Sequence, residues 1–154
     1  MSIICLGDFG MGNNNQLRVS KLLKQLISKY SSKLVLGLGD NIYPDGINSL
    51  DDDKLISQFE EPYSNLPKGI KFYNVLGNHD YQGKVKPQID YTNISNRWIL
   101  YNNWYHFEKK INNQLIHFYA IDTNFDKLSD KMKKKQESEI LEALEKSKAK
   151  WNIV

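Results

Sequence analysis

Three short segments of the sequence carry the side chains best suited to chemistry. Each begins with glycine and continues with carboxylate or amide side chains: "GD" at 7–8, "GDNIYPDG" at 39–46 and "GNHD" at 77–80. Oxygen donors of this kind, accompanied by imidazole, favour a site for Mn, Fe or Zn. They do not resemble the soft thiolate ligands of a cysteine-based metal site. Carboxylates that meet would repel one another unless a cation lay between them. The residue types therefore predict a metal site, provided that the fold brings the three segments together.

An apolar run precedes each of these segments and predicts a buried strand. The runs lie at 2–8, 33–40 and 70–80, and each ends in the glycine-led segment. Apolar residues at helical spacing over 13–32 predict a helix with an Asn cap, and a short helix is expected from about 51 to 61. Strand–helix–strand–helix–strand indicates a parallel sheet with right-handed crossovers, so the fold class is α/β. Because α/β proteins bind ligands at the carboxyl ends of parallel strands, the three segments are expected to meet there.

The second half of the chain predicts further elements. They are a helix within 85–98, antiparallel strands at 103–109 and 114–124, a helix over 134–151, and the start of a strand in 151–154. The apolar side of the last helix is expected to hold Ile140, Leu141, Leu144 and Trp151. Pro62 and Pro67 are expected to interrupt the chain.

Length and composition bound the possible functions. A chain of 154 residues with 40% apolar and 25% charged residues predicts one soluble globular domain over 1–154. The net charge of +3 comes largely from "KMKKK" at 131–135, which we interpret as a solvated loop; nucleic acid is not expected as a partner. Cys5 is expected to pack within a strand. No secretory signal and no membrane-spanning run are recognised, so a cytoplasmic location and no membrane contact are expected.

Each motif also has a simpler explanation. A single Gly-Asp after a strand is often a turn or a helix cap, but three at successive strand ends favour a site. His106 and His117 lie in aromatic strand-like runs and are interpreted as packing or surface residues. Asp122 ends a strand and either points at the site or caps a turn. The Gly-rich segment at 10–15 lacks the Lys-Ser/Thr of a nucleotide P-loop.

The motifs resemble those of a known family. Asp8 in "GDFG", Asp40 and Tyr43 in "GDNIYPDG", and Asn78-His79 in "GNHD" resemble the first three motifs of the calcineurin-like metallophosphoesterases. The tyrosine three residues after Asp40 narrows the resemblance to the purple acid phosphatases of the tartrate-resistant type. The similarity continues through "QIDYTNISNRW", "NWYHF", "FYAIDT" and "QESEILEAL". It implies an α/β/β/α sandwich, here expected to be truncated before its last strands.

The resemblance also implies a dinuclear metal centre. Asp8 and Tyr43 would bind a ferric ion, Asp40 would bridge the two metals, and Asn78 would bind a divalent partner, either Fe(2+), Zn(2+) or Mn(2+). A phenol ionises at ordinary pH only beside a strong Lewis acid, which a trivalent cation is. Such a centre activates water and clamps a phosphate, so the implied reaction is hydrolysis of a phosphate monoester.

The resemblance also implies which residues contact the substrate. Asn78 and His79 would contact the phosphate, and His79 and Asp80 would act as catalytic residues that assist the leaving oxygen or orient the ester. The expected substrate is a small phosphate ester or a phosphoprotein.

The sequence departs from the family in one respect. Family members continue with a strand ending in Gly-His and a later Gly-His-x-His motif, and neither occurs here. We therefore expect the chain to be the N-terminal part of such an enzyme, with impaired activity alone, and a partner chain could supply the missing histidines. The alternatives are a non-catalytic remnant and a phosphodiesterase or nuclease of the wider superfamily, against which Tyr43 argues.

Overall fold

Two units make up the computed structural model, which describes residues 2–154. One unit ends at Leu100 and the other spans Tyr101–Val154. Each has its own sheet, packed with helix, and is described by itself. The expectation of one domain over 1–154 stays a prediction.

The first unit is built on a parallel four-stranded sheet in the order β1-β2-β3-β4. Its elements are β1 (Ile3–Leu6), α1 (Asn14–Tyr30), β2 (Leu34–Gly37), a π-helical segment (Ile56–Glu60) running into α2 (Glu61–Tyr63), β3 (Lys71–Asn74), a 3-10 turn (Asp80–Gln82), α3 (Val85–Asp90), a second 3-10 turn (Tyr91–Asn93) and β4 (Trp98–Ile99). The three predicted parallel strands are confirmed, although each ends earlier than expected.

The register of these strands aligns their carboxyl ends. Leu6 on β1 pairs with Gly37 on β2, and Gly37 in turn pairs with Asn74 on β3. The glycine-led segments begin one to three residues beyond this row, so all three leave the same edge of the sheet. Parallel pairing in register is therefore what brings the candidate site residues near one another.

Helix α1 forms where the apolar spacing predicts it, but only part of its apolar set is buried. The Asn13 side chain accepts hydrogen bonds from the first-turn amides and caps the helix. Leu23 and Ile27 are buried, whereas other apolar side chains are exposed, among them Leu17, Val19, Leu22 and Tyr30. The predicted helix and its Asn cap are thus confirmed.

The segment after β3 differs from its prediction. The helix expected within 85–98 is only the six-residue α3, followed by a 3-10 turn and by β4. The Ser95 hydroxyl accepts hydrogen bonds from the amides of Arg97 and Trp98, a turn that stops further helix. Trp98 then pairs with Phe72 on β3. Pro62, also expected to interrupt the secondary structure, does not do so, because it lies in the first turn of α2.

The second unit contains a three-stranded sheet in the order β5-β6-β7 and one long helix. Its elements are β5 (Tyr105–Ile111), β6 (Gln114–Ala120), α4 (Asp130–Lys146) and β7 (Trp151–Ile153). The predicted antiparallel pair is confirmed: Asn112 and Asn113, both with positive φ, make the two-residue turn. The predicted strand at 151–154 is also confirmed, since β7 pairs in parallel with β6.

Helix α4 corrects three expectations. It begins at Asp130, because the Ser129 side chain caps it, so the lysine-rich run 131–135 is helical and not a loop. It ends at Lys146, so Trp151 belongs to β7 and not to the helix. Ile140 is buried in a cluster with Trp104 and Tyr119, whereas Leu141 is exposed.

The environment of the single cysteine differs from the expectation. Cys5 is exposed on β1, which has a neighbouring strand on only one side, so the expected packing role is wrong.

In the part of the chain that the structure describes, no helix combines the length and the apolar character needed to span a bilayer.

An aromatic cluster forms the core of the first unit. The ring centroid of Phe59 lies 5.2 Å from Phe72 and 4.9 Å from Trp98, and all three side chains are fully buried. Edge-to-face geometry of this kind adds to the energy of burial. The cluster lies on β3, β4 and the π-helical segment, so it ties the helical connection to the sheet.

We predict that Phe59→Ala lowers the free energy of unfolding by about 3–5 kcal/mol, because it leaves a cavity among these rings. Ile56→Ala, in the same helical segment but half exposed, is the control and should cost less than about 1 kcal/mol. Urea denaturation followed by tryptophan fluorescence measures both. Equal losses in the two variants would contradict the assignment of the core.

Candidate metal centre

Hydrogen bonds donated by backbone amides join the three glycine-led segments. The amide of Asp8 donates to the carbonyl of Gly39 at 3.1 Å, which connects the first segment to the second. The amide of His79 donates to Asp40 Oδ1 at 3.0 Å, which connects the second segment to the third. The expectation that the segments lie together at one edge of the sheet is confirmed by these contacts.

Three side-chain oxygens converge at this edge. Tyr43 Oη lies 2.6 Å from Asp8 Oδ1 and 2.9 Å from Asp40 Oδ2. The phenol has one proton and can donate it to only one carboxylate at a time. Neighbouring oxygen ligands of an octahedral cation, with bonds of about 2.0–2.1 Å, lie about 2.9 Å apart. The oxygen spacing therefore fits a small, hard cation without a large rearrangement.

The charges around these oxygens also favour a cation. In residues 2–154, no lysine or arginine forms an ion pair with Asp8 or Asp40. Burial, followed by the hydrogen bonds to the two carboxylates, raises the pKa of the Tyr43 phenol well above its ordinary value. Without a cation the phenol thus stays neutral and serves as the proton donor between two carboxylates.

Asp8 and Asp40 share an uncommon backbone conformation. Both are left-handed, with φ of 53° and 51° respectively. Residues other than glycine rarely adopt this region, and asparagine and aspartate do so most readily. Such conformations often occur where a site requires a defined side-chain direction. They also explain why the paired strands end before the aspartates.

The buried side chain of Asp80 connects the second and the third glycine-led segments. Its side chain is fully buried and accepts hydrogen bonds from the amides of Gly77, Asn41 and Ile42 and from the Asn41 side chain, at 2.8–3.3 Å. Burial raises the pKa of Asp80 to about 6, although the backbone donors act in the opposite direction. These contacts support a positioning role, and the direct catalytic role expected for Asp80 stays a prediction.

His79 and Asn78 lie beside the converging oxygens. The His79 ring packs 4.4 Å from the Tyr43 ring, and its Nδ1 lies 2.5 Å from the Pro44 carbonyl. Because a carbonyl can only accept, Nδ1 carries a proton, and Nε2 is the nitrogen that can exchange one with a ligand. Asn78 is exposed next to His79. The structure thus brings both residues to the edge that holds Asp40, and their roles stay predictions.

Other acidic residues are engaged elsewhere. Asp45, at the end of the same loop as Asp40, pairs with Lys54 at 2.5 Å, and this hydrogen bond lowers the pKa of its carboxyl. Asp122 accepts hydrogen bonds from the amide and side chain of Asn124, which supports the turn-capping alternative. Among residues 2–154, no group of three or more His, Cys, Asp or Glu side chains is arranged for a metal ion.

One contributor to the centre was missed by the sequence analysis. Asn41 is fully buried, and its side chain donates to Asp80 and to the carbonyl of Val75 at 2.7 Å. The only available signal was its position directly after Asp40. An amide there has no distinctive sequence pattern, since asparagine is common in turns.

Comparisons with known proteins agree with the geometry. A family model described as calcineurin-like phosphoesterase matches residues 1–154. Purple acid phosphatase 3 of Arabidopsis thaliana is 29% identical over 126 residues, or 80% of this chain and 33% of the relative. Tartrate-resistant acid phosphatase type 5 of Homo sapiens is 27% identical over 132 residues, or 80% of this chain and 41% of the relative.

A solved structure also resembles the chain. It is titled "GAP50 the anchor in the inner membrane complex of Plasmodium" and superimposes with a TM-score of 0.74 at 26% identity. The match covers 92% of this chain and 48% of that chain. The aligned part of this chain thus corresponds to less than half the length of these relatives. The predicted fold class, a mixed α/β metallophosphoesterase fold, is confirmed by the family model and this neighbour.

We predict that Gly77→Ala disrupts the centre, because a Cβ there would lie 2.1 Å from Asp40 Oδ1 and 2.2 Å from the Asp40 amide nitrogen. The expected cost is about 1–3 kcal/mol of stability, as for overpacking elsewhere. Gly7→Ala is the matched control, since its Cβ would meet only Leu38 Cβ at 3.4 Å. Thermal unfolding and amide NMR shifts of residues 39–43 measure both effects; unchanged shifts in Gly77→Ala would refute the close contact.

Proposed function

Because the chain belongs to the calcineurin-like phosphoesterase family, we propose that it contributes a metal-dependent phosphomonoesterase site of the purple acid phosphatase type. Hydrolysis of phosphoesters is the general activity of the family, and a dinuclear metal centre is its usual cofactor. The narrower proposal depends on one observation: the Tyr43 oxygen lies between the carboxylates of Asp8 and Asp40. A phenol in that position favours a ferric ion as one of the two metals.

The proposed metal ligands follow from this arrangement. Asp8 and Tyr43 would hold Fe(3+), Asp40 would bridge, and Asn78 would hold Fe(2+), Zn(2+) or Mn(2+). The chemistry that such metals supply is Lewis acidity toward water and toward the phosphate oxygens. The amide of His79 already fixes one oxygen of Asp40, so the other is directed toward Tyr43. This preorientation reduces the rearrangement that metal binding requires.

The remaining residues of the proposed site act on the substrate. The Pro44 carbonyl accepts from Nδ1 of His79, so Nε2 would donate a proton to the phosphate or to the leaving oxygen when the ring is in its imidazolium form. Asn78, exposed at the same edge, would contact the phosphate. Asp80 would act through Asn41 and Gly77 by keeping both loops in place. The proposed substrate is a small phosphate ester or a phosphoprotein.

Four side chains do not fill the coordination of two metal ions. We therefore propose that imidazole ligands from outside these 154 residues, supplied by a partner chain, complete the centre and that activity without them is weak. A non-catalytic binding role is the second candidate. It is supported by the absence of a three-residue metal group among residues 2–154 and by the neighbour whose title describes an anchor.

Titration with ferric iron tests the ligand assignment directly. The wild-type chain should develop a visible tyrosinate-to-iron absorption band, and Tyr43→Phe should abolish it because the phenolate is lost. Tyr30→Phe, at a half-exposed position on α1, is the matched control and should keep the band. A band that survives in Tyr43→Phe, or that is absent from the wild type, would overturn the proposed iron ligand.

Hydrolysis assays test the reaction class. With iron and zinc present, the chain should hydrolyse an aryl phosphate monoester weakly, because the imidazole ligands are lacking, but still faster than the corresponding diester. Asp40→Asn should lower this rate at least about 100-fold, the scale expected for losing a principal electrostatic stabiliser. Asp45→Asn, in the same loop but paired with Lys54, should change it little. A preference for the diester would favour the phosphodiesterase alternative, and no hydrolysis despite the visible band would favour the binding role.

A further inference from the structure

Two histidines of the second unit contact each other on one face of its sheet, with their rings edge to face. His106 is on β5 and His117 on β6, and the strand register makes them diagonal neighbours, since His117 pairs with Glu108 and His106 with Tyr119. Nδ1 of His106 lies 2.9 Å from Nε2 of His117. Because side chains alternate across a strand, both rings project from the same face of the sheet.

Neighbouring hydroxyls favour one tautomer of His117. Its Nδ1 lies 2.7 Å from the Tyr119 hydroxyl and 3.2 Å from the Ser147 hydroxyl. Both hydroxyls donate their own protons to the Asn152 side-chain oxygen, at 3.1 Å and 2.8 Å, and that oxygen can only accept. This arrangement favours the tautomer in which Nδ1 of His117 carries the proton and donates it to these hydroxyls. Its Nε2 is then a bare lone pair directed at His106.

This arrangement matches a general feature of metal-binding histidines. Such a histidine usually donates its second N–H to a protein oxygen, which orients the ring and raises its basicity. His117 has this partner already, together with Glu108 Oε1 at 3.7 Å from the same nitrogen. Burial, more than the nearby His106, lowers the pKa of His117, so the neutral form needed by a metal is favoured. His106 is exposed.

The surroundings of the pair are acidic. A cavity of about 480 Å³ between the sheet and α4 contains both imidazoles, and its charged lining consists of three carboxylates and one ammonium, from Glu108, Glu139, Glu142 and Lys146. Glu142 is paired with Lys146, and Glu139 accepts a hydrogen bond from Trp104 at 2.7 Å. With neutral histidines the charge of the lining favours a cation.

We propose that His106 and His117 chelate a divalent transition metal, Zn²⁺ above all, at a site separate from the candidate phosphoesterase centre. Imidazole nitrogens suit Zn²⁺, Cu²⁺ and Ni²⁺. Tetrahedral zinc with Zn–N bonds of about 2.0–2.1 Å holds two nitrogens about 3.3 Å apart, so the pair must open by a few tenths of an ångström and the rings must turn until both lone pairs point at the metal. Binding replaces the proton shared by the two rings, and water completes the coordination.

Nitrogen NMR of the imidazoles tests the site, since the chain has three histidines. ZnCl₂ is titrated into the Asp8→Asn/Asp40→Asn double variant, in which the candidate phosphoesterase centre is disabled. His106 Nδ1 and His117 Nε2 should shift together at one equivalent of zinc, whereas His79 stays in place. Affinity should fall as the pH is lowered, because protons compete with zinc for the imidazole nitrogens.

His106→Gln in the same background should weaken zinc binding at least about tenfold, the equivalent of about 1.4 kcal/mol. His79→Gln is the matched control and should leave the affinity unchanged. Zinc binding that survives His106→Gln, or zinc that leaves both nitrogen resonances unmoved, would overturn the proposal and leave only a proton-sharing pair. Because these variants keep the phosphoesterase ligands disabled, the result does not depend on the proposed function.

Discussion

The parallel pairing of β1, β2 and β3 is the constraint on which the rest of the first unit depends. Its register aligns Leu6, Gly37 and Asn74 in one row. The segments that follow leave the sheet at the same edge, and hydrogen bonds from the backbone connect each to the next. A slip of one residue in this register would reverse the side-chain directions and separate the oxygens. Because burial of the strands fixes the register, it also keeps the candidate site residues together.

Electrostatics then determines what this edge can hold. Two carboxylates and a phenol share one proton, and burial keeps the phenol neutral when no cation is present. Asp80 lies behind them and binds backbone donors from both neighbouring loops. The family assignment and the oxygen spacing support the same conclusion, that a cation in this position would relieve repulsion between Asp8 and Asp40.

The sequence predicted the helices, the sheet type and the residues of the edge because each had a local signal. Gly-Asp after apolar runs located Asp8 and Asp40, and the Asn13 cap located α1. It did not predict β4, a two-residue strand too short to show periodicity, or the helical lysine run, whose Ser129 cap was overlooked. The contact between His106 and His117 was equally inaccessible, since it depends on the register of two strands.

Anomalous diffraction from crystals grown with iron tests the central claim most directly. Data collected on both sides of the iron absorption edge should show a peak bonded to Asp8 Oδ1, Tyr43 Oη and Asp40 Oδ2, with each distance near 2 Å. An iron peak elsewhere, with the phenol of Tyr43 still hydrogen-bonded between the two carboxylates, would contradict the account.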